Sequence, residues 1–260
     1  MKATLAWTGP KVELSDVSVR YAEAVALNKA SLKVPHRTTI ALIGASGCGK
    51  TTLLRAINRL HDLDESVRIN GSVKLDGVEM LASGVDVNAL RRRVGMIFPR
   101  PTVMPGTVAD NAVFGMRAQG IRDRRELEDG CERALRRTLL WEYTIASGSL
   151  LKPADSLPID LQQRLCIARA LAVDPEVLLF DDPTSELDPI AAGGIEDIIA
   201  RLRRDCTVLL ATNDLQQAAR LSDVTCYMAG GEIIEAGDTP VLFSRPANAR
   251  TEDFLAGRAS

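Results

Sequence analysis

The segment Gly44-Ala45-Ser46-Gly47-Cys48-Gly49-Lys50-Thr51 constrains this chain more than any other stretch. It fits the pattern G-x-x-x-x-G-K-[ST], in which glycines let backbone N–H groups converge on phosphate oxygens. An apolar run, Thr39-Ile40-Ala41-Leu42-Ile43, leads into it, and a helix-like segment follows from Thr51, whose neighbour Thr52 is also expected to contact the nucleotide. A helix starting there adds a partial positive charge at its N-terminus. Lys50 is then expected to reach the β- and γ-phosphates, and the Thr51 hydroxyl to ligate Mg²⁺. A second apolar run, Val177-Leu178-Leu179-Phe180, closes on Asp181. A carboxylate at the end of such a strand is where a Mg²⁺-organising group belongs, acting through water. Alone this second pattern is weak, because many strands end in polar turns. Beside the first it is specific.

The flanking sequence predicts the surroundings of that turn. Val12, Leu14, Val17 and Val19, then Leu27, Leu32 and Val34, alternate as strands do. A hairpin-like piece follows near Val73–Gly77. Residues 99–158 differ: Pro99, Pro101 and Pro105 precede a helical face formed by Leu127, Cys131, Ala134, Leu135 and Leu139. The pattern then returns to alternating helices and strands. A helix carries Leu161, Leu165, Ala168 and Leu171, and a strand spans Val177–Phe180. Another helix carries Ile195, Ile198, Ile199 and Leu202, before a strand at Thr207–Leu210. Val224–Glu235, with Gly230-Gly231 between its halves, reads as a hairpin. The expected fold class is α/β, a nucleotide-binding core with a mainly parallel sheet covered on both faces. An N-terminal antiparallel β subdomain and an inserted helical subdomain complete it. One domain over 1–260 is expected, with 1–98 and 159–260 as core and 99–158 as the helical part.

Bulk properties exclude several classes. A formal net charge of −2 gives no electrostatic footprint for nucleic acid. No apolar run approaches the roughly 18 residues of a membrane span. The first residues, Met1 to Trp7, carry one charge and no long apolar stretch, so they do not read as a secretory signal. Any membrane role is therefore expected to come through partner subunits. Cys48, Cys131, Cys166, Cys206 and Cys226 are scattered without a C-x-x-C pair, and His36 and His61 lie apart. Reduced thiols, solvated histidines and no structural zinc are the reading.

Further motifs carry a family resemblance. Gly47 gives the turn the form G-x-x-G-x-G-K-T, Ser185-Glu186-Leu187-Asp188 is similar to a D-loop, and Arg164-Leu165-Cys166-Ile167-Ala168-Arg169-Ala170 resembles the helix after the ABC signature. Phe98-x-Arg100-Pro101-x-x-x-Pro105, Gln216-Gln217-Ala218-Ala219-Arg220-x-Ser222-Asp223 and Thr251-Glu252-Asp253-Phe254-Leu255-x-Gly257-Arg258 resemble the ATP-binding subunits of bacterial phosphate-importing ABC transporters. Over about residues 11–258 the resemblance implies a P-loop NTPase (RecA-like) core that binds ATP and Mg²⁺. It implies that Tyr21 stacks on adenine. It also implies a head-to-tail pair of ATP-binding subunits, as homo- or heterodimer, with ATP sandwiched between one P-loop and the other subunit's signature. Two membrane-spanning permease subunits would dock near Phe98–Pro105, at the cytoplasmic face of the inner membrane. A separate extracytoplasmic protein would capture phosphate.

The sequence departs from that family at positions that touch nucleotide or attacking water. Pro99 replaces the Q-loop glutamine, and Leu157-Pro158-Ile159-Asp160-Leu161 stands where the signature L-S-G-G-Q is usual. Asp182 replaces the glutamate general base, and Asn213 the switch histidine. Asp182 keeps a carboxylate one methylene shorter, and Asn213 keeps a hydrogen-bonding group that cannot become cationic. Both catalytic positions are expected to be weakened. Ile159 and Asp160 place bulk and negative charge where backbone must approach phosphate. The expectation is an ATP-binding subunit with slow hydrolysis. Its rivals are an ATP-sensing regulator and an importer subunit for another solute. A chromosome-maintenance ATPase is disfavoured because no heptad or zinc insertion separates Lys50 from Asp181. A GTPase is disfavoured because Asn28-Lys29-Ala30-Ser31 lacks the base-reading Asp.

Overall fold

A computed structural model of the protein describes residues 8–258. It divides into two compact units, residues 8–91 with 203–258, and residues 92–202. The first unit opens with β1 (Val12–Tyr21) and β2 (Ala24–Val34), an antiparallel pair. The alternating residues Val12, Leu14, Val17 and Val19 are all buried on one face. Strand β3 (Thr39–Ile43) is buried along its whole length, which accounts for its uninterrupted apolar sequence. It runs into the glycine turn and then α1 (Lys50–Ile57), followed by a single 3₁₀ turn at Leu60–Leu63. Strand β4 (Val67–Leu75) pairs with β1 and, through Asp76-Gly77, with the short β5 (Val78–Glu79). Both turn residues have positive φ, 50° and 78°, the geometry a two-residue hairpin loop requires. This is the expected antiparallel sheet, in the order β2-β1-β4-β5. Helix α2 (Val87–Arg93) leads out of the unit.

The second unit begins with β6 (Val94–Ile97). A helical region follows: α3 (Val108–Ala112), α4 (Phe114–Ala118), α5 (Arg124–Arg137), α6 (Trp141–Ala146) and α7 (Ile159–Leu171). Helices α3 to α6 lie within the stretch 99–158. Thr107 and Asp110 form a reciprocal capping box at α3, and Asp123 caps α5. Cys131, Ala134 and Leu135 face a cluster with Met116, Leu140 and Leu165. Leu139, expected on that face, lies beyond the helix. Its φ is 57°, and the bonds Leu140 N–H to Leu135 O and Leu139 N–H to Arg136 O close the helix in a Schellman turn. Leu140 takes the buried place instead. Strand β7 (Val177–Asp181) runs parallel to β6, and α8 (Pro189–Leu202) ends the unit.

The chain completes the first unit with β8 (Thr207–Ala211), α9 (Leu215–Leu221), β9 (Val224–Ala229), β10 (Glu232–Asp238), α10 (Thr239–Ser244) and α11 (Ala249–Leu255). Strand β3 lies between β8 and β9, parallel to both, and β10 joins β9 as the expected hairpin around Gly230-Gly231. The mouth of the glycine turn thus rises from the central strand of this parallel set. No helix among the described residues is long and apolar enough to cross a membrane.

Candidate active site

Three glycines of the turn take left-handed backbone geometry: Gly44 at φ 148°, Gly47 at 78° and Gly49 at 111°. At Gly44 a Cβ would stand 2.2 Å from the Met228 carbonyl oxygen, and at Gly49 2.8 Å from that of Ala26. Here glycine is forced by the closeness of neighbouring strands as much as by φ. Around Gly47 a Cβ would meet nothing within 4 Å. The turn is tied by Cys48 N–H to Ala45 O (3.2 Å) and by Gly231 N–H to Cys48 O (3.0 Å). Ser46 is exposed and Cys48 buried. Helix α1 has no side-chain cap at its N-terminus, where Gly49 occupies the cap position. First-turn N–H groups without a capping side chain are suited to an anion.

Lys50 is only 8% exposed. Its ammonium donates to Gly44 O (2.6 Å), Ala45 O (3.1 Å) and Asn213 Oδ1 (2.9 Å), with Cys48 Sγ at 3.8 Å. Asn213 follows β8, and the next residue, Asp214, caps α9 by accepting from Gln216 and Gln217 N–H. The structure thus brings the P-loop lysine and the altered switch position together. Thr51 and Thr52 lie half-buried in the first turn of α1, and Tyr21 lies half-buried at the end of β1. The Tyr21 hydroxyl meets His61 Nδ1 at 3.2 Å. His61 is buried rather than solvated, which corrects the sequence expectation. Its neighbours in sequence, Asp62 and Asp64, gave no sign of that burial.

In the second unit, Asp181 is buried at the end of β7, and Asp182 follows it at φ 47°. Aspartate tolerates this conformation better than most side chains. The Asp182 carbonyl accepts from the Ser185 N–H and hydroxyl, forming the turn that starts the D-loop-like segment. Pro183 O accepts from Gln163 Nε2 at 2.9 Å. The same amide donates to Phe98 O, also at 2.9 Å, beside Pro99. Sequence reading did not single out Gln163. Fully buried, it ties three segments of the unit that carry family motifs.

The altered signature is absorbed into α7. Pro158 is its cap residue, a position that needs no N–H donor. Leu161 turns inward and packs in the helical cluster. Ile159, 44% exposed, and the half-buried Asp160 stand in the first helical turn. A groove of about 180 Å³ lies beside this helix, lined by Met96, Phe98, Pro101, Met104, Phe114 and Arg169. Arg169 is held there by Thr102 O (2.9 Å). Phe98, Met104 and Phe114 are among the exposed large apolar residues.

Residues 27–185 match the ABC transporter family. The chain belongs to the ABC transporter family. It is 44% identical over 247 residues to the phosphate import ATP-binding protein PstB of Shewanella denitrificans, spanning 95% of this chain and 90% of that protein. It is 45% identical over 247 residues to PstB of Pseudoalteromonas translucida, spanning 95% and 89%. Among solved structures, cbiO1 from Clostridium perfringens, part of the ABC transporter complex cbiONQ, has a TM-score of 0.79 at 23% identity. That match covers 96% of this chain and 97% of the other. The last likeness establishes the shared fold. As an ABC ATPase by family, the chain carries an ATP-binding domain of a class that works with membrane-spanning permease subunits.

Proposed function

We propose that this chain is the ATP-binding subunit of an importer for inorganic phosphate, which binds Mg-ATP and hydrolyses it slowly. The observation that carries the binding half is the glycine turn. Three left-handed glycines, an uncapped α1 and a buried lysine come together in this turn, and its exposed Gly47 has no neighbour within 4 Å of a Cβ built there. In this reading, residues 44–52 bind the phosphates, Lys50 exchanges its turn carbonyls for phosphate oxygens, and Tyr21 supplies the face for adenine. Mg²⁺, when bound, neutralises phosphate charge and orients the terminal phosphoryl group. Thr51 and Asp181 are the side chains we assign to it. The phosphate assignment rests on identity of about 45% to the PstB proteins. The groove beside α7, with exposed Phe98, Met104 and Phe114, suits an apolar permease segment on the cytoplasmic side.

Slow hydrolysis follows from what the chain's own residues offer. Asp182 is shorter than the usual base and must act within about 2.6–3.2 Å of the proton it takes, or through one water. Asn213 directs its carbonyl oxygen at Lys50 and has no proton to shuttle. In a head-to-tail dimer, Ile159 and Asp160 would present bulk and negative charge to a partner-bound polyphosphate. Losing one preorganised donor in such a site costs roughly 100- to 1,000-fold in rate. Steady-state ATPase measured with the permease present tests this. Restoring Ser-Gly-Gly-Gln at Pro158 to Leu161 should raise turnover more than Asp182→Glu alone. Brisk turnover of the parent chain sinks the slow-hydrolysis reading, and a larger gain from Asp182→Glu sinks the ranking.

A further inference from the structure

Tyr21 and Thr52 belong to different elements of the first unit, and one side chain joins them. His61 is 5% exposed and sits in the 3₁₀ turn after α1. Its Nε2 lies 3.0 Å from the Thr52 carbonyl oxygen. A carbonyl only accepts, so Nε2 carries a proton. In a neutral imidazole the other nitrogen, Nδ1, is then an acceptor, and the Tyr21 hydroxyl donates to it at 3.2 Å. The rings meet edge to face, with centroids 5.6 Å apart and planes at 76°. Burial holds the imidazole pKa below its usual value, and Arg55 on α1 acts the same way. The Thr52 bond, Asp62 and Asp64 oppose them. The neutral tautomer fixed by the two bonds is therefore the resting form at neutral pH.

We propose that His61 is a positioning residue that locks the Tyr21 ring for stacking on a nucleotide base by tying its hydroxyl to the backbone of α1. The inference rests on the reading of Tyr21 as the adenine platform. A half-buried tyrosine at the end of a strand, next to the left-handed Ala22 (φ 49°) and the exposed Glu23, otherwise loses rotamer freedom when a base stacks on it. The tie removes that cost before the nucleotide arrives. With its hydroxyl engaged, the ring offers the base a π-face rather than a hydrogen bond. The effect of the tie must therefore depend on the presence of a base and be absent for a bare phosphate chain.

Calorimetric binding of Mg-ATP and of inorganic tripolyphosphate to the full chain tests this. Tyr21→Phe and His61→Leu are each expected to weaken ATP binding about three- to tenfold, the range that one hydrogen bond supplies. The double variant should be no weaker than either single. Tripolyphosphate affinity should stay unchanged in all three. His61→Asn, which keeps an acceptor for the Tyr21 hydroxyl, should restore ATP affinity to within about twofold of the parent. Tyr21→Ala reports the platform itself, and stacking losses of this kind reach about 5- to 150-fold. If Tyr21→Ala binds ATP like the parent, the platform reading fails and the tie with it. If Tyr21→Ala is weak while Tyr21→Phe binds like the parent, the tie alone is overturned. That second outcome does not depend on His61→Leu remaining folded. A His61→Leu protein that melts earlier yet binds ATP normally also overturns it, because the histidine would then serve only packing.

Discussion

Asn213→Ala is the most informative single change in the phosphate turn. An ammonium has three donors, and the three oxygens of Gly44, Ala45 and Asn213 use all of them. Removing the amide leaves one donor of a buried cation without its oxygen. Hydrogen bonds to charged groups contribute about 1.5–3 kcal/mol. Asn213 is itself exposed, so water replaces part of the loss, and about 1–2 kcal/mol is the expected cost. For a chain of this size that is roughly a 3–6 °C fall in Tm. With saturating Mg-ATP the phosphate oxygens take the vacated donor, and the difference from the parent should shrink to within about 1 °C. By linkage, ATP affinity should rise about 5- to 30-fold. Thermal melts of parent and variant, with and without nucleotide, read both quantities. Asn213→His should behave differently: its imidazolium, populated below about pH 6.5, faces the ammonium and destabilises the protein further there. The reasoning is refuted if Asn213→Ala melts with the parent in the absence of nucleotide, or if its deficit persists undiminished with ATP bound.

Other consequences are as direct. Gly44→Ala forces a Cβ to 2.2 Å from the Met228 carbonyl oxygen and 2.7 Å from Cys48 Sγ, so urea unfolding should show a loss above about 3 kcal/mol. Gly47→Ala meets no neighbour, and its left-handed φ alone should cost about 1–2 kcal/mol. The folded-state pKa of His61 lies below its unfolded value near 6.5, chiefly through burial. Between those two values the unfolded chain binds more protons, so stability should fall as pH drops below about 6.5 and level off beneath the folded value. Urea midpoints across pH 5–8 should lose that slope in His61→Leu. The Cys226 and Cys131 thiols are buried and pushed up to about 12 and about 11, so maleimide at pH 8 should leave both unlabelled until the protein is denatured, as read by mass spectrometry.

The features legible in the sequence are those with enough residues to carry a period. The runs at β3, β7 and β8 are apolar because every position is buried, and the alternation in β1 marks one buried face. The glycine turn was readable because its backbone geometry admits few other residues. Helices α2, α9, α10 and α11 gave no comparable signal, since six or seven residues make fewer than two full turns. The β1 irregularity between Ser15 and Ser18, with Asp16 at φ 50°, is likewise silent in the residue pattern. The contacts that matter most in the site are set by tertiary placement. Asn213 comes from the end of β8 to meet Lys50, and Gln163 reaches Phe98 and Pro183 from α7. His61 sits between Leu60 and Asp62 in a stretch that reads as polar surface. Its burial arises because the 3₁₀ turn folds it toward Tyr21 and the Thr52 carbonyl. Local sequence does not encode a partner that far away.

Titration of the purified chain with Mg-ATP, beside the Lys50→Ala variant, tests the central claim most directly. Saturable uptake by the parent and a large loss in Lys50→Ala are the predicted pair of results. A parent protein that takes up no adenine nucleotide at millimolar concentration contradicts the account.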